Sequence, residues 1–374
     1  MADLSLTSEQ ELLRGTVRDF VARECPLPEV RRIDEQEGGF SRELWNKMAA
    51  LGWAGILVPA EHGGEGGSLT DAAVLYEEMG RALLPSPHLS SAVIAALLIE
   101  RAGSDAQRRD LLPAIARGER VVALAFTEAG YGWTPDYVRT AAARRDGVYV
   151  LDGAKQFVPD ASAAGTLICA ARTSDGGLTL FLVDKDAAGV DVQPIKAWAG
   201  ETLHEVFLRG VEVSQDNVLG PVDGGWQALA PVLDVATALL CAYIAGAARR
   251  VYEISLAYAQ QRVQFGQPIA RFQRVQDHLI DILNHADAAR WTAYEAVWKL
   301  ENDKPGAEEA VSVAKAVASE GFYQLCDAAH HVHGGLGSEK GYGLYLYTKK
   351  SRSLYHYLGD PAHHRRRIAQ LLRL

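Results

Sequence analysis

The amino-acid sequence predicts an α+β fold in which a β domain lies between two α-helical domains. Three changes of pattern indicate this order: helical periodicity over residues 1–120, short strand-like runs over 121–222, and long apolar helical stripes over 223–374. Because 48% of the 374 residues are hydrophobic, the chain can bury a sizeable core, and its length suits two or three domains.

The N-terminal domain is predicted to be helical throughout, with breaks that the sequence marks. Thr7 and Gln10 can form a capping box ahead of apolar residues at helical spacing, and Ser41 precedes a second helix. An extended segment is expected at residues 56–59, before the glycine cluster at 62–68 interrupts regular structure. Helical patterns resume at Leu69 and continue through residues 92–99.

The middle domain is predicted to be a small β-barrel or sandwich. Strand-like runs occur at residues 121–126, 148–151, 166–169, 178–183 and 205–208. Turn signals rich in Asp and Gly separate several of these runs, as in compact all-β domains.

The C-terminal domain is again predicted to be helical. One apolar stripe runs from Leu229 to Val251, and further helical patterns cover residues 271–300 and 308–331. The longest apolar run, 238–248, is too short to span a bilayer, so it predicts a buried helix rather than membrane insertion.

Composition argues for a cytoplasmic protein that does not bind nucleic acid. The net charge is -9, whereas phosphate binding requires a basic face. The four cysteines form no CxxC pair, and the N-terminus lacks the pattern of a signal peptide. The cluster of His330, His331 and His333 has no Cys, Asp or Glu at ligand spacing, so no metal site is expected.

Several motifs resemble those of the acyl-CoA dehydrogenase family, in the family's order and over almost the whole chain. RVQFGQPIARFQ at 262–273 is the most specific, since it closely matches RxxFGxPIxxFQ. The others are PAEHGGEGGS at 59–68, EEMGR at 77–81, FTEAGYGWT at 126–134, LDGAK at 151–155, FLVD at 181–184, Gly220 and HVHGGLG at 331–337.

The resemblance implies a C-terminal four-helix bundle, an FAD cofactor and an oligomer of homologous subunits. In the family a carboxylate removes the α-proton of an acyl thioester while the flavin takes the β-hydride. The β domain holds the isoalloxazine of a subunit's own flavin. The RxxFG and QxxGG segments reach the ADP half of the flavin in the neighbouring subunit.

The residues for that cross-subunit half are present. A guanidinium fork at Arg262 suits a pyrophosphate, and glycines allow the backbone to approach a cofactor closely. The resemblance implies that Phe265 and Phe272 pack the adenosine and that Gln273 hydrogen-bonds it. His331 stands where the family usually has glutamine. The candidate cofactor-binding set is Arg262, Phe265, Phe272, Gln273, His331, Gly334 and Gly335.

The own-subunit half departs from the family pattern. Phe126, Thr127 and Phe157 are candidate flavin contacts, but Pro159 replaces the residue whose hydroxyl reaches the flavin, and proline has no side-chain donor. Trp133 replaces a small serine. Either its indole fills space meant for flavin or thioester, or the loop is shifted and Trp133 is a packed surface aromatic.

Both family positions for the catalytic base carry residues that cannot move a proton. Ungapped counting places Leu358 at the position of one branch's glutamate and Ala236 at the other's, with Thr237 at the substrate-contacting arginine. Losing a positioned base costs about 10²–10⁴ in rate. The carboxylates Glu201, Glu339 and Asp360 lie in polar, loop-like stretches, where solvated surface groups are the simpler interpretation.

This combination resembles the partner subunit of heterotetrameric acyl-CoA dehydrogenases of bacterial steroid side-chain degradation. In those enzymes only one subunit type supplies the base. The alternatives are an active homo-oligomer with a relocated base, a scaffold protein without flavin, and a flavin oxidase or monooxygenase on the same fold. The sequence leaves the acyl chain open, and also the carrier, CoA or an acyl carrier protein.

Overall fold

The computed structural model describes residues 5–36, 39–173, 177–198 and 202–374, which form two compact units. The first unit comprises Met1–Ile33, Leu69–Leu84 and Thr237–Leu374, and the second comprises Asp34–Ser68 and Pro85–Ala236. The order of elements is helical, then sheet, then helical, which confirms the predicted α+β class.

The described helices flank the sheet in sequence. Before it lie α1 Ser8–Glu24, α2 Leu27–Gln36, α3 Arg42–Ala50, α4 Leu69–Arg81, α5 Ala96–Ala102 and α6 Asp105–Ala116. After it lie α7 Gly225–Gln261, α8 Gln273–Glu301, α9 Ala307–His333, α10 Leu344–His356 and α11 Pro361–Leu371.

The strands form one large sheet in the second unit and a small hairpin in the first. The sheet strands are β1 Val122–Ala125, β2 Ala141–Arg145, β3 Val148–Pro159, β4 Thr166–Thr173, β5 Leu178–Asp184, β6 Val190–Ile195, β7 Leu203–Ser214 and β8 Val218–Leu219. Their order is β6-β7-β3-β2-β4-β5-β8, and β1 pairs with β4 in parallel. The hairpin strands are β9 Val263–Gln264 and β10 Gln267–Pro268.

Local sequence signals explain where several helices begin. The Thr7 hydroxyl accepts from the backbone of Gln10, and the Gln10 side chain accepts from the backbone of Thr7, so the expected capping box is present. Ser41 caps α3 through the Leu44 amide. The extended segment expected at 56–59 was wrong at Ile56, which has helical dihedrals and continues a short 3-10 turn.

Two glycines set the crossing of α4 and α7 in the first unit. A Cβ on Gly80 would lie 1.9 Å from the Tyr243 carbonyl oxygen, and one on Gly246 would lie 1.7 Å from the Glu77 carbonyl oxygen. The backbones therefore touch, and no side chain fits between them. Nearby, the buried Glu77 carboxylate accepts from Arg290 at 2.9 Å and from the Tyr294 hydroxyl at 2.5 Å.

Helix α7 is the one described helix long and apolar enough to cross a membrane by length and composition. However, 83% of its most apolar window is buried within the protein, as in the core helix of a globular fold. Burial therefore accounts for its apolar sequence without a bilayer.

Candidate functional site

The RxxFG-like segment folds into a strained hairpin that projects from the end of α7. Strands β9 and β10 are joined by Phe265 and Gly266. Both residues have positive φ, 51° and 79°, as a tight hairpin turn of the primed type requires. Positive φ is unfavourable for a bulky residue, yet Phe265 adopts it with 91% of its surface exposed. The described chain therefore leaves most of this aromatic ring in solvent.

The other candidate residues of this segment lie beside the hairpin. The Phe265 and Phe272 rings meet edge to face with centroids 6.0 Å apart, and Gln273 opens α8 with its side chain exposed. The backbone of Arg262 is fixed, because its amide donates to Tyr258 and its carbonyl accepts from Ile269, both at 2.8 Å. Its side chain is exposed, and no described carboxylate lies within ion-pair distance of it.

The glycine turn after α9 offers an open backbone cradle. Gly334 has φ 58° and ψ -141°, a conformation that is essentially restricted to glycine. A Cβ on either Gly334 or Gly335 would meet no atom of the described chain within 4 Å. The chain's own packing thus does not require glycine at 335, whereas close approach by an external group would.

Three histidines at or before this turn contact three different helices. His330 Nε2 lies 2.8 Å from the Thr348 hydroxyl on α10, and the His331 ring stacks on His278 of α8 with centroids 5.3 Å apart. His333 stacks on Tyr258 of α7 with centroids 4.6 Å apart. Among the described residues no group of His, Cys, Asp and Glu could hold a metal ion.

These features of the first unit fit the ADP half of a dinucleotide. The exposed guanidinium of Arg262 on a fixed backbone, the exposed amide side chain of Gln273 and the two glycines without Cβ atoms are donors and space suited to a pyrophosphate and a nucleoside. The segment therefore has the chemistry to bind such a group without any rearrangement of its own packing.

In the second unit, the FTEA segment after β1 is tied to β3 by hydrogen bonds. The Thr127 hydroxyl donates to the Gln156 carbonyl at 2.5 Å, and the Gln156 amide donates to the Thr127 carbonyl at 2.8 Å. Phe126 and Thr127 are both buried. Thr127 therefore already uses its hydroxyl proton within the chain.

A buried ion pair underlies this segment. Glu128 accepts from Lys155 Nζ at 2.6 Å and from the amides of Arg139 and Thr140 at 2.7 and 3.0 Å. Burial alone raises the pKa of Glu128, but Lys155 and Thr140 outweigh that effect and hold the pKa below its ordinary value. Burial lowers the pKa of Lys155 in spite of Glu128. Sequence reasoning noted both motifs but missed that their charges pair.

Trp133 is packed rather than displayed on the surface. It is 9% exposed and stacks on Phe126 at 5.9 Å and 13°, while Phe126 stacks on Trp226 at 6.1 Å and 29°. The small residue of the family pattern is thus replaced by the outer member of a three-ring stack. The expected surface placement is therefore wrong, and the other expectation, that the indole fills space meant for flavin or thioester, stays a prediction.

The remaining flavin candidates of this unit fit a cofactor less well. Phe157 has φ 55°, is partly exposed and meets Tyr131 edge to face at 5.1 Å. Pro159 pairs with Leu203 at the end of β3, and it has no donor to offer at the position of the family's hydroxyl. The residues present here do not reproduce the family's hydroxyl contact to a flavin ring.

Both family positions for the base are buried and apolar. Ala236 is fully buried in α7, and its neighbour Thr237 is buried too. Leu358 is buried with φ 58°, in the turn between α10 and α11. Neither side chain contains a group that titrates, so neither can accept an α-proton.

Two buried bases of the first unit hold the Leu358 turn in place. Lys315 Nζ donates to the carbonyls of Leu354, Tyr355 and Gly359 at 3.0–3.3 Å, and burial lowers its pKa to about 8. His364 Nε2 lies 2.9 Å from the Leu358 carbonyl. The turn is thus a built structural feature. Sequence reasoning missed it, because its contacts join residues 39–44 positions apart.

The alternative carboxylates have structural partners. Glu339 accepts from the Tyr342 amide at 2.8 Å, and Asp360 caps α11 through the His363 amide at 2.7 Å. Glu201 lies outside the described residues. The two that are described serve as backbone acceptors, an ordinary role for carboxylates in turns and helix caps.

Three family models together match nearly all of the chain. The acyl-CoA dehydrogenase N-terminal domain matches residues 7–119, the middle domain 123–211 and the C-terminal domain 223–372. A probable acyl-CoA dehydrogenase of Bacillus subtilis (strain 168), YngJ, is 33% identical over 353 residues, covering 91% of this chain and 92% of that protein.

Two of the solved structures with the same fold are described by the names of two proteins each. The ChsE4–ChsE5 complex from Mycobacterium tuberculosis contains a chain with TM-score 0.91 and 26% identity, covering 100% of this chain and 99% of that one. A variant of the Tcur3481–Tcur3483 steroid ACAD gives TM-score 0.87 and 30% identity, covering 98% of each chain.

Proposed function

The chain belongs to the acyl-CoA dehydrogenase family, and from that premise we propose that it is the partner subunit of an FAD-dependent dehydrogenase of acyl thioesters. It supplies the cross-subunit half of a flavin site, and a homologous subunit supplies the catalytic base. The observation that carries the proposal is the pair of buried apolar residues, Ala236 and Leu358, at both positions where the family keeps its base.

FAD, the cofactor of this family, supplies the hydride acceptor for α,β-dehydrogenation when it is bound. Arg262 would donate to the pyrophosphate of that cofactor, and Gly334 and Gly335 would let its phosphates approach the backbone. Phe265 and Phe272 contribute apolar surface for the adenine. The α-proton goes to a carboxylate on the partner, since neither family base position of this chain holds a proton acceptor.

The same division of labour is supported by the second unit. Pro159 offers no hydroxyl, and Trp133 occupies the position of a small residue in the loop after β1. Such a chain makes few contacts to the isoalloxazine ring of a flavin in its own site. It still has the residues that bind the ADP half of a flavin in a neighbouring subunit. One flavin for each pair of unlike subunits is the expected stoichiometry.

The substrate we propose is a steroid-derived acyl thioester. Its support is the 30% identity over 98% of the chain to a protein described as a steroid ACAD, together with the likeness to the ChsE4–ChsE5 complex. Likeness of fold does not by itself select a substrate, so this part of the proposal stands on similarity alone.

The proposal is tested by expressing the chain alone and together with homologous acyl-CoA dehydrogenase chains from the same genome. We expect visible flavin absorption only in the co-expressed complex, at one FAD per pair, with 2-enoyl product formed by the complex alone. Flavin at one per subunit in the lone protein, with enoyl product, would establish an active homo-oligomer instead.

Matched variants separate a base on the partner from a relocated base. Glu339→Gln and Asp360→Asn keep the size and the acceptor oxygen of each side chain, so we expect the complex to retain its rate within about twofold. A loss of about 10² or more in rate from either variant, with flavin retained, would identify a base on this chain.

A further inference from the structure

We propose that His333 is a positioning residue whose neutral imidazole holds the Gly334–Gly335 turn and the Arg262 end of α7 in one arrangement, and so sets the affinity for the ADP half of FAD. The inference rests on the proposed function, because it assumes that these two segments face a dinucleotide.

Contacts on three sides fix the His333 ring in the first unit. Nδ1 lies 2.8 Å from the Ala329 carbonyl on its own helix, and Nε2 lies 3.0 Å from the Tyr342 hydroxyl in the loop before α10. Tyr258 of α7 covers one face of the ring at 4.6 Å and 20°. With only 4% of the residue exposed, the ring is held between elements that carry the candidate site.

These contacts fix the tautomer of the neutral ring. A carbonyl can only accept, so the proton is on Nδ1, and in the neutral ring Nε2 accepts from the Tyr342 hydroxyl. Protonation of Nε2 would remove this acceptor, and Tyr342 would have to turn its proton elsewhere. Burial lowers the pKa of His333, which agrees with a ring that is built to stay neutral.

The His333 ring is connected to both the Arg262 end of α7 and the Gly334–Gly335 turn, in each case through one neighbouring residue. Tyr258, which stacks on it, accepts the Arg262 amide on its carbonyl at 2.8 Å. On the other side, Gly334 follows His333 directly and donates its amide to the His330 carbonyl. A change in the His333 ring therefore reaches Arg262 through α7 and the glycines through α9.

The charged and titratable groups around the ring are few in the described chain. The charge of His330 on α9 lowers the pKa of His333. The phenols of Tyr258 and Tyr342 face the His333 ring from α7 and from the loop before α10. Burial raises the pKa of Tyr342, and the charge of Arg250 on α7 acts against that rise. His331 is exposed and can itself meet a cofactor, so it has to be replaced before a pH profile can be assigned to His333.

The test uses the assembly that holds flavin, whether the lone chain or the complex, with His331→Gln as the parent. Dissociation constants for FAD are measured by flavin fluorescence between about pH 4.5 and 7.5, because the lowered pKa of His333 places its protonation below the ordinary histidine value of about 6.5. Tyr342→Phe removes only the hydroxyl, His333→Phe keeps a ring for Tyr258, and Tyr355→Phe is a control outside this contact.

We expect the parent to bind FAD more weakly as the pH falls. Tyr342→Phe should weaken binding about fivefold at the upper pH, the effect of one ordinary hydrogen bond. His333→Phe should be weaker than the parent and lose its pH dependence, while Tyr355→Phe should match the parent. The thermal midpoint of unliganded Tyr342→Phe should stay close to that of the parent.

Two results would overturn the inference. One is an FAD affinity and pH profile of Tyr342→Phe and His333→Phe equal to those of the parent. The other is a lowered thermal midpoint with unchanged affinity, which would mean a purely structural role. The number of flavins per subunit tests the proposed function separately. Absence of flavin from both the lone chain and the complex would contradict the proposed function and this inference together.

Discussion

The Nζ atom of Lys155 lies 2.6 Å from a carboxylate oxygen of Glu128, with side-chain exposures of 0% and 8%. The pair joins β3 to the segment after β1, on which Phe126 and Thr127 lie. Removing one member of a buried pair leaves the other charged, buried and without compensation. The ion pair is thus the charged contact that holds this flavin-binding candidate loop against β3, beside the hydrogen bonds between Thr127 and Gln156.

Lys155→Met is expected to lower the free energy of unfolding by about 3–5 kcal/mol, because Glu128 then loses its cation. Urea unfolding measures the change. Lys47→Met is the matched control, since Lys47 pairs with Glu43 at 2.7 Å on the surface of the same unit. The control should shift stability by about 0.5 kcal/mol or less. Equal losses in the two variants would contradict the role of the buried pair.

Gly246→Ala is expected to destabilise the first unit by about 3 kcal/mol, because the new methyl would lie 1.7 Å from the Glu77 carbonyl oxygen. Gly15→Ala in α1 meets nothing within 4 Å and should stabilise by about 0.5–1 kcal/mol. Thermal unfolding of both variants tests the crossing of α4 and α7. A Gly246→Ala variant as stable as the parent would mean that this glycine contact is not required.

His364 makes stability depend on pH in the acid range. Burial lowers its pKa to about 3, so below the ordinary histidine value of about 6.5 the unfolded chain binds a proton that the folded chain refuses. The stability contributed by the neutral ring is complete above about pH 6.5. It is lost as the pH falls toward about 3, on the order of 5 kcal/mol in all.

The measurement is the difference in unfolding free energy between the parent and His364→Gln from about pH 7 to 4. We expect that difference to favour the parent at neutral pH, where the ring donates to the Leu358 carbonyl, and to shrink with acidification. A difference that stays constant over this range would show that His364 does not titrate as its burial requires.

Arg262→Met is expected to weaken FAD binding about 100-fold in the flavin-holding assembly, because a charge-assisted contact to the pyrophosphate is lost. Arg274→Met, on the first turn of α8, is the control: its side chain is exposed and pairs weakly with Asp277 at 3.6 Å. Equilibrium dialysis gives both constants. If the two variants bind alike, Arg262 does not face the cofactor.

Much of the fold could be predicted from the sequence where local signals decide the structure. The Thr7–Gln10 capping box and the Ser41 cap are short-range, and the runs that became β1, β4 and β5 are apolar because those strands are buried. Strands β2 and β6 were missed, since most of their residues are exposed or only half-buried and neither carries a run of large apolar side chains. The parallel pairing of β1 with β4 is set by tertiary packing.

The candidate site divides in the same way. Motif spacing located Arg262, Gly334 and Gly335, because a family resemblance preserves position along the chain. The pairing of Glu128 with Lys155 and the clamp of Lys315 on the Leu358 turn join residues 27 and 39–44 positions apart. No periodicity encodes such contacts, so they became visible only in three dimensions.

The exposed Phe265 at the tip of the β9–β10 hairpin has a consequence for how much of this chain a cell makes relative to its proposed partner. Under the proposed assembly, a copy synthesised in excess of its partner keeps a strained aromatic tip with 91% of its surface in water. Exposed apolar surface promotes association and triage by chaperones and proteases. Under that assembly, we expect balanced translation of the two subunits, as from one messenger RNA, to raise the yield of the assembly.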